Sequence, residues 1–113
     1  MTTKIRQQNG ITILEPNGKI MGPTVSELRA VLSPQLEISE APRVLINLEN
    51  VNKIDSSGLG ALMGVRAMTV RKKGRIGVVN VSKQIKNLIV LSRLVRAFEH
   101  YDTEAAAVSA LSA

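Results

Sequence analysis

The segment Asp55-Ser56-Ser57-Gly58 brings together the residue types best suited to chemistry in this chain. A carboxylate beside two hydroxyl groups allows two interpretations. In the first, one of the serines caps a following helix by accepting a hydrogen bond from its free amides. In the second, a serine hydroxyl stands exposed at the helix start and accepts a phosphoryl group, whose charge would face the positive end of the helix dipole. The residue types alone leave both open.

Other catalytic patterns are incomplete. The chain has one histidine, His100, with no nucleophile near it in sequence, so we expect a surface histidine. It has no Gly-x-Ser-x-Gly elbow, no cysteine and no cluster of histidine, aspartate and glutamate at metal-ligand spacing. We therefore predict no enzymatic activity, no metal and no cofactor.

The glycines after Ser57 resemble a phosphate-binding loop only in part. Gly58 and Gly60 have the spacing of a dinucleotide fingerprint, but Met63 stands where the third glycine is needed. We expect instead that Gly58, Gly60, Ala61 and Gly64 form a stripe of small residues that lets a helix approach a sheet closely.

The chain is strongly basic, with a net charge of +6 over 113 residues. Much of the excess lies in Arg71, Lys72, Lys73 and Arg75, which follow a predicted helix. Cations suit the negative end of a helix dipole, so a solvated helix terminus explains them, and a nucleic-acid surface is the alternative. Aromatic residues on which bases could stack are nearly lacking. We predict no direct contact with nucleic acid.

The elements that must position the serines follow from hydrophobic periodicity and turn residues. Asn9-Gly10 predicts a hairpin turn between two strands. The apolar run 43–48 predicts a central strand covered on both faces, followed by a turn at Asn50 to Asn52 and a helix that begins at the serines and is closed by Gly74. The other predicted elements are strands at 4–8, 11–15, 76–81 and 98–101, and helices starting at Thr24, Ser82 and Asp102 to Glu104, the one from Ser82 running through Leu91.

This alternation predicts one α/β domain over residues 1–113, with a mixed β-sheet and helices packed mainly on one face. The N-terminus has no apolar segment typical of a secretory signal, and apolar runs such as Leu59 to Val65 are far shorter than the ~20 residues of a membrane span. We expect a cytoplasmic protein that does not contact a membrane.

The segment from Arg43 reads Arg-Val-Leu-Ile-Asn-Leu-Glu-Asn-Val-Asn-Lys-Ile-Asp-Ser-Ser-Gly-Leu-Gly-Ala-Leu. It resembles the STAS domain of bacterial anti-sigma factor antagonists, in which such a motif ends a strand and opens a helix. The resemblance extends to the opening hairpin, the Gly-Lys-Ile segment at Gly18 to Ile20, the Lys-Lys-Gly turn and the final helix.

The resemblance implies that Ser56 is phosphorylated by an anti-sigma factor that is also a serine kinase and itself binds ATP and magnesium. It implies a partner-binding surface formed by Asp55, Ser56, Ser57, Gly58 and Leu59. The unphosphorylated form would bind the kinase and release a sigma factor, phosphorylation would switch this off, and a phosphatase would reset it. The protein would thus regulate transcription by partner switching.

The resemblance also implies an acidic residue soon after the first loop glycine, but this chain has Gly18-Lys19-Ile20-Met21-Gly22. That difference bears on which kinase is recognised. The alternatives are a STAS module of a stress-signalling scaffold or a lipid-transport assembly, a basic nucleic-acid-binding domain, and an enzyme using Asp55 and Ser56.

Overall fold

The computed structural model describes residues 2–22, 26, 29–30, 33–34, 40–81, 85 and 88–112. In these residues six strands form one sheet in the order β1-β2-β3-β5-β6, with β4 paired to β2 off this path. The strands are β1 (Thr2–Gln8), β2 (Ile11–Ile20), β3 (Arg43–Asn47), β4 (Val51–Ile54), β5 (Arg75–Val79) and β6 (Glu99–Tyr101). The helices are α1 (Ser56–Arg71), α2 (Leu88–Ala97) and α3 (Glu104–Ser112).

The opening hairpin forms at the predicted turn. Asn9 and Gly10 both have positive φ, 53° and 77°, the combination that a type I′ turn requires. Strand β1 is antiparallel to β2, and Gln8 pairs with Ile11 directly across the turn. The predicted hairpin is confirmed.

Strand β2 changes partner along its length. Its first half pairs in parallel with β3, with Ile13 opposite Leu45. Its last residues pair in parallel with β4, from Gly18 opposite Val51, and the register of this pairing shifts between Gly18, which has φ 101°, and Lys19, as at a β-bulge. Such a bulge bends a strand and redirects it. Because the pairing ends with Ile20 beside Ile54, the residue after β4 emerges next to the end of β2.

The predicted turn at Asn50 to Asn52 is only partly right, because Val51–Ile54 is a strand. Its burial does not alternate as in an ordinary strand: Val51 and Ile54 are buried, whereas Asn52 and Lys53 between them are exposed. Because its two central residues are both polar, the sequence of this strand lacks the alternation of apolar and polar residues by which strands are predicted. It pairs in parallel with the last three residues of β2, Gly18 to Ile20.

The two faces of the sheet carry separate cores. Val44 and Ile46 of β3 lie in the larger core with α1 and α2, while Leu45, between them, lies in the smaller core under α3. Successive strand side chains point to opposite faces, so β3 is covered on both sides as predicted. The predicted mixed sheet with helices mainly on one face is confirmed, with α3 alone of the described helices on the other.

Gly74 closes helix α1 as predicted, since its amide donates to the Thr69 carbonyl oxygen at 2.9 Å. The residue with left-handed backbone after the helix is Lys73, with φ 60°, rather than Gly74. Gly74 is required for another reason, since a Cβ there would lie 2.0 Å from the carbonyl oxygen of Pro42. The neighbouring Arg75 amide donates to that same oxygen at 2.9 Å, which joins the turn to the start of β3.

The helix predicted from Ser82 to Leu91 is wrong in its bounds. Ser82 lies outside the described residues, Ile85 is buried but not helical, and α2 runs from Leu88 to Ala97. Thr24, the predicted start of the first helix, also lies outside the described residues, whereas Ser26 and Arg29 are helical. In the described part of the chain, no helix is long and apolar enough to cross a membrane.

Candidate functional site

Asp55, not a serine, caps helix α1. Its backbone is extended, with φ −98° and ψ −174°, and its Oδ1 accepts a hydrogen bond of 2.8 Å from the Gly58 amide. This is the N-cap geometry, in which a side-chain oxygen satisfies the free amide three residues on. The interpretation in which Ser56 or Ser57 serves as the cap is therefore wrong.

Both serines are exposed in the first turn of α1. Neither the Ser56 nor the Ser57 hydroxyl makes a hydrogen bond in the part of the chain that the structure describes. The first-turn amides define the positive end of the helix. Ser56 therefore presents a free hydroxyl at a position that favours negative charge.

Gly58 and Leu59 are buried and pack the helix start against the rest of the domain, so they do not form part of its surface. A Cβ at Gly58 would lie 1.9 Å from the carbonyl oxygen of Ile20, so only glycine allows the helix start to lie this close to the end of β2. Leu59 is 8% exposed and belongs to the larger core. Among the predicted partner-binding residues, Asp55, Ser56 and Ser57 are the ones whose side chains reach the surface.

The loop after β2 contacts the same cap. The Asp55 amide donates to the Ile20 carbonyl oxygen at 3.4 Å, and the Gly22 amide donates to Asp55 Oδ2, also at 3.4 Å. The carboxylate of Asp55 thus joins the helix start to this loop through its two oxygens. Lys19, near the end of β2, is exposed and lies opposite Lys53 of β4, and Met21 in the loop is half-buried, so this segment carries positive rather than negative charge.

The predicted small-residue stripe is wrong in two of its four members. Gly58 and Ala61 are buried against the sheet, but Gly60 and Gly64 are exposed, and a Cβ at either would meet nothing within 4 Å. Close approach of the helix therefore depends on Gly58 and Ala61.

In the basic turn after α1, Lys73 is exposed, whereas Arg75 is bound to other parts of the domain. Arg75 forms an ion pair with Glu99, with its Nε 3.2 Å from Oε2, and its Nη1 donates to the Ala110 carbonyl oxygen at 2.9 Å. The hydrogen bonds from Arg75 hold the pKa of Glu99 below its usual range. Arg75 is thereby taken out of any continuous basic patch with Lys73.

The remaining candidates play no part in this site. His100 is exposed on β6, as expected for a surface histidine. Across the described ranges, no three histidine, aspartate or glutamate side chains are grouped so that they could hold a metal ion.

Comparison with known proteins decides the family. The family model described as the STAS domain matches residues 2–107, nearly the whole chain. The chain belongs to the STAS domain family. The cap of Asp55 and the exposed Ser56 are therefore features of a STAS domain, at the end of its fourth strand.

Relatives of this STAS domain carry names from sigma factor regulation. An anti-sigma F factor antagonist of Paenibacillus polymyxa is 24% identical over 108 residues, which cover 96% of this chain and 92% of the relative. The crystal structure of a putative anti-sigma factor antagonist from Thermotoga maritima has a TM-score of 0.87 and 19% identity, covering 98% of this chain and 95% of the other.

SpoIIAA, an anti-sigma factor antagonist described as a Bacillus cell fate determinant, has the same fold and has been solved in two forms. The unphosphorylated form has a TM-score of 0.76 and 19% identity, with 96% of each chain covered. The phosphorylated form has a TM-score of 0.70 and 20% identity, covering 96% of this chain and 98% of the other.

Sequence reasoning about this STAS domain missed the contact residues Ile20 and Gly22. Both act through backbone atoms, and hydrogen bonds made by backbone groups leave little trace in residue type. The signal that could have found them is Gly18, because a glycine inside a strand often marks a bulge that redirects the chain.

Proposed function

We propose that this STAS domain is an anti-sigma factor antagonist controlled by phosphorylation of Ser56. Its unphosphorylated form binds an anti-sigma factor that is a serine kinase, and phosphorylation ends that binding. The observation that carries the proposal is the assignment of the helix cap to Asp55, which leaves the Ser56 hydroxyl exposed and unbonded among the described residues. A serine needed as the cap could not be modified without loosening the helix.

The position of Ser56 suits a phosphate that acts on a partner rather than on the fold. A phosphoserine carries about −1.5 to −2 charges at pH 7. The positive end of α1 offsets that charge within the free protein, whereas a complex must strip water from it beside Asp55. The energetic cost of phosphorylation therefore falls on the interface.

The names of the relatives support the sigma factor context. The curated relative is named an anti-sigma F factor antagonist, and SpoIIAA is known in unphosphorylated and phosphorylated forms. The segment from Gly18 to Gly22, whose Gly22 amide contacts Asp55, has no acidic residue, so a kinase that recognises this segment cannot pair a basic side chain with an acid there.

Co-purification from the source cells tests the proposal. Tagged wild type, Ser56→Ala and Ser57→Ala are each used as bait with ADP and magnesium, and the captured complexes are then washed with ATP and magnesium. We expect all three to capture a small serine kinase. ATP should release it from the wild type and from the matched control Ser57→Ala, but not from Ser56→Ala. Release of the kinase from Ser56→Ala, or capture of none by any bait, would contradict the proposal.

A further inference from the structure

A groove with a volume of about 530 Å³ runs between helices α1 and α2, and its lining does not include the serines at the start of α1. It is lined by Met63 of α1 and by one face of α2: Ile89, Ser92, Arg93, Arg96 and Ala97. The α2 residues recur at spacings of three and four, so they lie along a single helix face. This surface is distinct from the face of α2 that carries Val90 and Leu94 into the core.

The groove combines exposed apolar surface with positive charge. Ile89 is 69% exposed, and Met63 is half-buried beside it. Arg93 and Arg96 are exposed, and neither forms an ion pair or hydrogen bond within the described part of the chain. A side chain as apolar as Ile89 gains from being covered, and two arginines without partners favour an anionic ligand.

The surrounding sequence makes this charge one-sided. From Ser56 to Ala97 there is no aspartate or glutamate, although the same stretch contains nine lysines and arginines. A third arginine, Arg66, donates a hydrogen bond to the Ala97 carbonyl oxygen at the end of the groove. A carboxylate entering the groove would therefore meet positive charge and no acidic side chain from either helix.

We propose that this groove docks an acidic amphipathic helix of a partner protein, with apolar side chains covering Met63 and Ile89 and carboxylates paired with Arg93 and Arg96. A helix laid in a groove between two helices presents side chains at the same spacings of three and four. Arginine binds carboxylates in a bidentate manner, which gives such docking its orientation. A helix can fill this groove, whereas a flat membrane surface could contact the arginines but would leave the groove empty.

This docking goes beyond the proposed function and does not depend on it. Met63 lies seven residues after Ser56, about 10 Å along α1 at 1.5 Å per residue. One partner could therefore reach both surfaces, or two partners could share the domain.

A peptide titration followed by two-dimensional NMR tests the proposal. The probe is a synthetic helical peptide of about four turns, with leucines on one face and glutamates elsewhere, and a second peptide carries lysines in place of the glutamates. The acidic peptide should shift the backbone amide signals of Met63, Ile89 and Arg96 and leave those of α3 unchanged. Its affinity should fall at least tenfold in the double variant Arg93→Glu/Arg96→Glu.

Two controls separate this result from a general charge effect. Lys4→Glu/Lys53→Glu changes the net charge equally at exposed sites outside the groove and should leave the affinity nearly unchanged. Ile89→Ser should weaken binding without altering charge, and all variants should remain folded, with cooperative thermal unfolding. The proposal is overturned if the acidic peptide does not bind, if the lysine peptide binds equally well, or if both double variants lose affinity alike.

Binding of phosphatidylserine vesicles that depends on Arg93 and Arg96, without peptide binding, would reassign the groove to membranes and also overturn the proposal. Because the titration contains no kinase, its failure would leave the role of Ser56 intact. Failure of Ser56 phosphorylation would equally leave the titration result intact.

Discussion

The Oδ1 atom of Asp55 accepts a 2.8 Å hydrogen bond from the amide of Gly58, and this bond fixes the first turn of α1 while leaving the intervening serines free. The second carboxylate oxygen, Oδ2, lies 3.4 Å from the Gly22 amide. One side chain thus sets both the helix start and the adjoining loop. The cap and the proposed phosphoacceptor are therefore neighbouring residues, so mutation can test them separately.

Replacing Asp55 by alanine should cost about 1 kcal/mol of unfolding free energy, the usual value of an N-cap. Ser56→Ala and Ser57→Ala should each cost much less, because neither hydroxyl is bonded among the described residues. Asp55→Asn is the matched control, since an asparagine oxygen can still cap the helix. Urea unfolding midpoints would measure the order, and equal losses for Asp55→Ala and Ser56→Ala would contradict the assignment of the cap.

Glycine substitutions along α1 should have opposite effects. Gly58→Ala should destabilise the protein by about 3 kcal/mol, because its Cβ would lie 1.9 Å from a backbone oxygen that cannot easily move. Gly64→Ala should stabilise it by about 0.5–1 kcal/mol, because that site is open and alanine favours a helix interior. Thermal and urea unfolding of both variants would check the pair, and a neutral Gly58→Ala would show that α1 is not held this close to Ile20.

The ion pair of Arg75 with Glu99 should make the free energy of unfolding depend on pH in the acidic range. Because the pKa of Glu99 is lowered in the folded protein, its contribution is fully present above the carboxyl's unfolded pKa of about 4.3 and is lost as the pH falls through that value to the folded pKa. Glu99→Gln should therefore flatten the decline of stability below about pH 4.3. Arg75→Gln should flatten it similarly, and an unchanged slope in both variants would rule out the coupling.

Much of the fold could be predicted from local patterns. The hairpin at Asn9-Gly10 and the doubly buried strand β3 follow from positive φ at two residues and from a continuous apolar run, both of which are local properties. Strand β4 could not be predicted in this way. Its Asn52 and Lys53 are exposed, and it pairs with the end of β2 from Gly18 onward, where the register shifts.

The predicted start of a helix at the serines is confirmed, but the sequence did not predict which residue caps it. Asp55, Ser56 and Ser57 are all residue types that can cap a helix. Which of them is the cap depends on the position of the chain where it leaves β4. The Ile20 carbonyl oxygen decides this, because it accepts from the Asp55 amide and lies against Gly58. Contacts between residues more than thirty positions apart are not visible in a motif. The predicted helix from Ser82 is also wrong. The prediction assigns Ile85 to the apolar face of that helix, but Ile85 is buried in the core from a non-helical position.

Phosphorylation of Ser56 should act locally. The added charge lies beside the Asp55 carboxylate but also at the positive end of α1, so the thermal midpoint should change little. Amide signals should shift near Asp55 and in the Gly22 loop that its carboxylate contacts, while those of α3 on the far face of the sheet stay in place. Affinity for the kinase should fall at least tenfold, about 1.4 kcal/mol. Spectral change throughout the sheet would contradict a local mechanism.

Localising the phosphate tests the central claim most directly. The protein is incubated with its cognate anti-sigma factor, ATP and magnesium, and the product is fragmented in a mass spectrometer, with Ser56→Ala and Ser57→Ala treated in parallel. We expect a single phosphate, on Ser56, in the wild type and in Ser57→Ala, and none in Ser56→Ala. A phosphate mainly on Ser57, or its persistence in Ser56→Ala, would contradict the account.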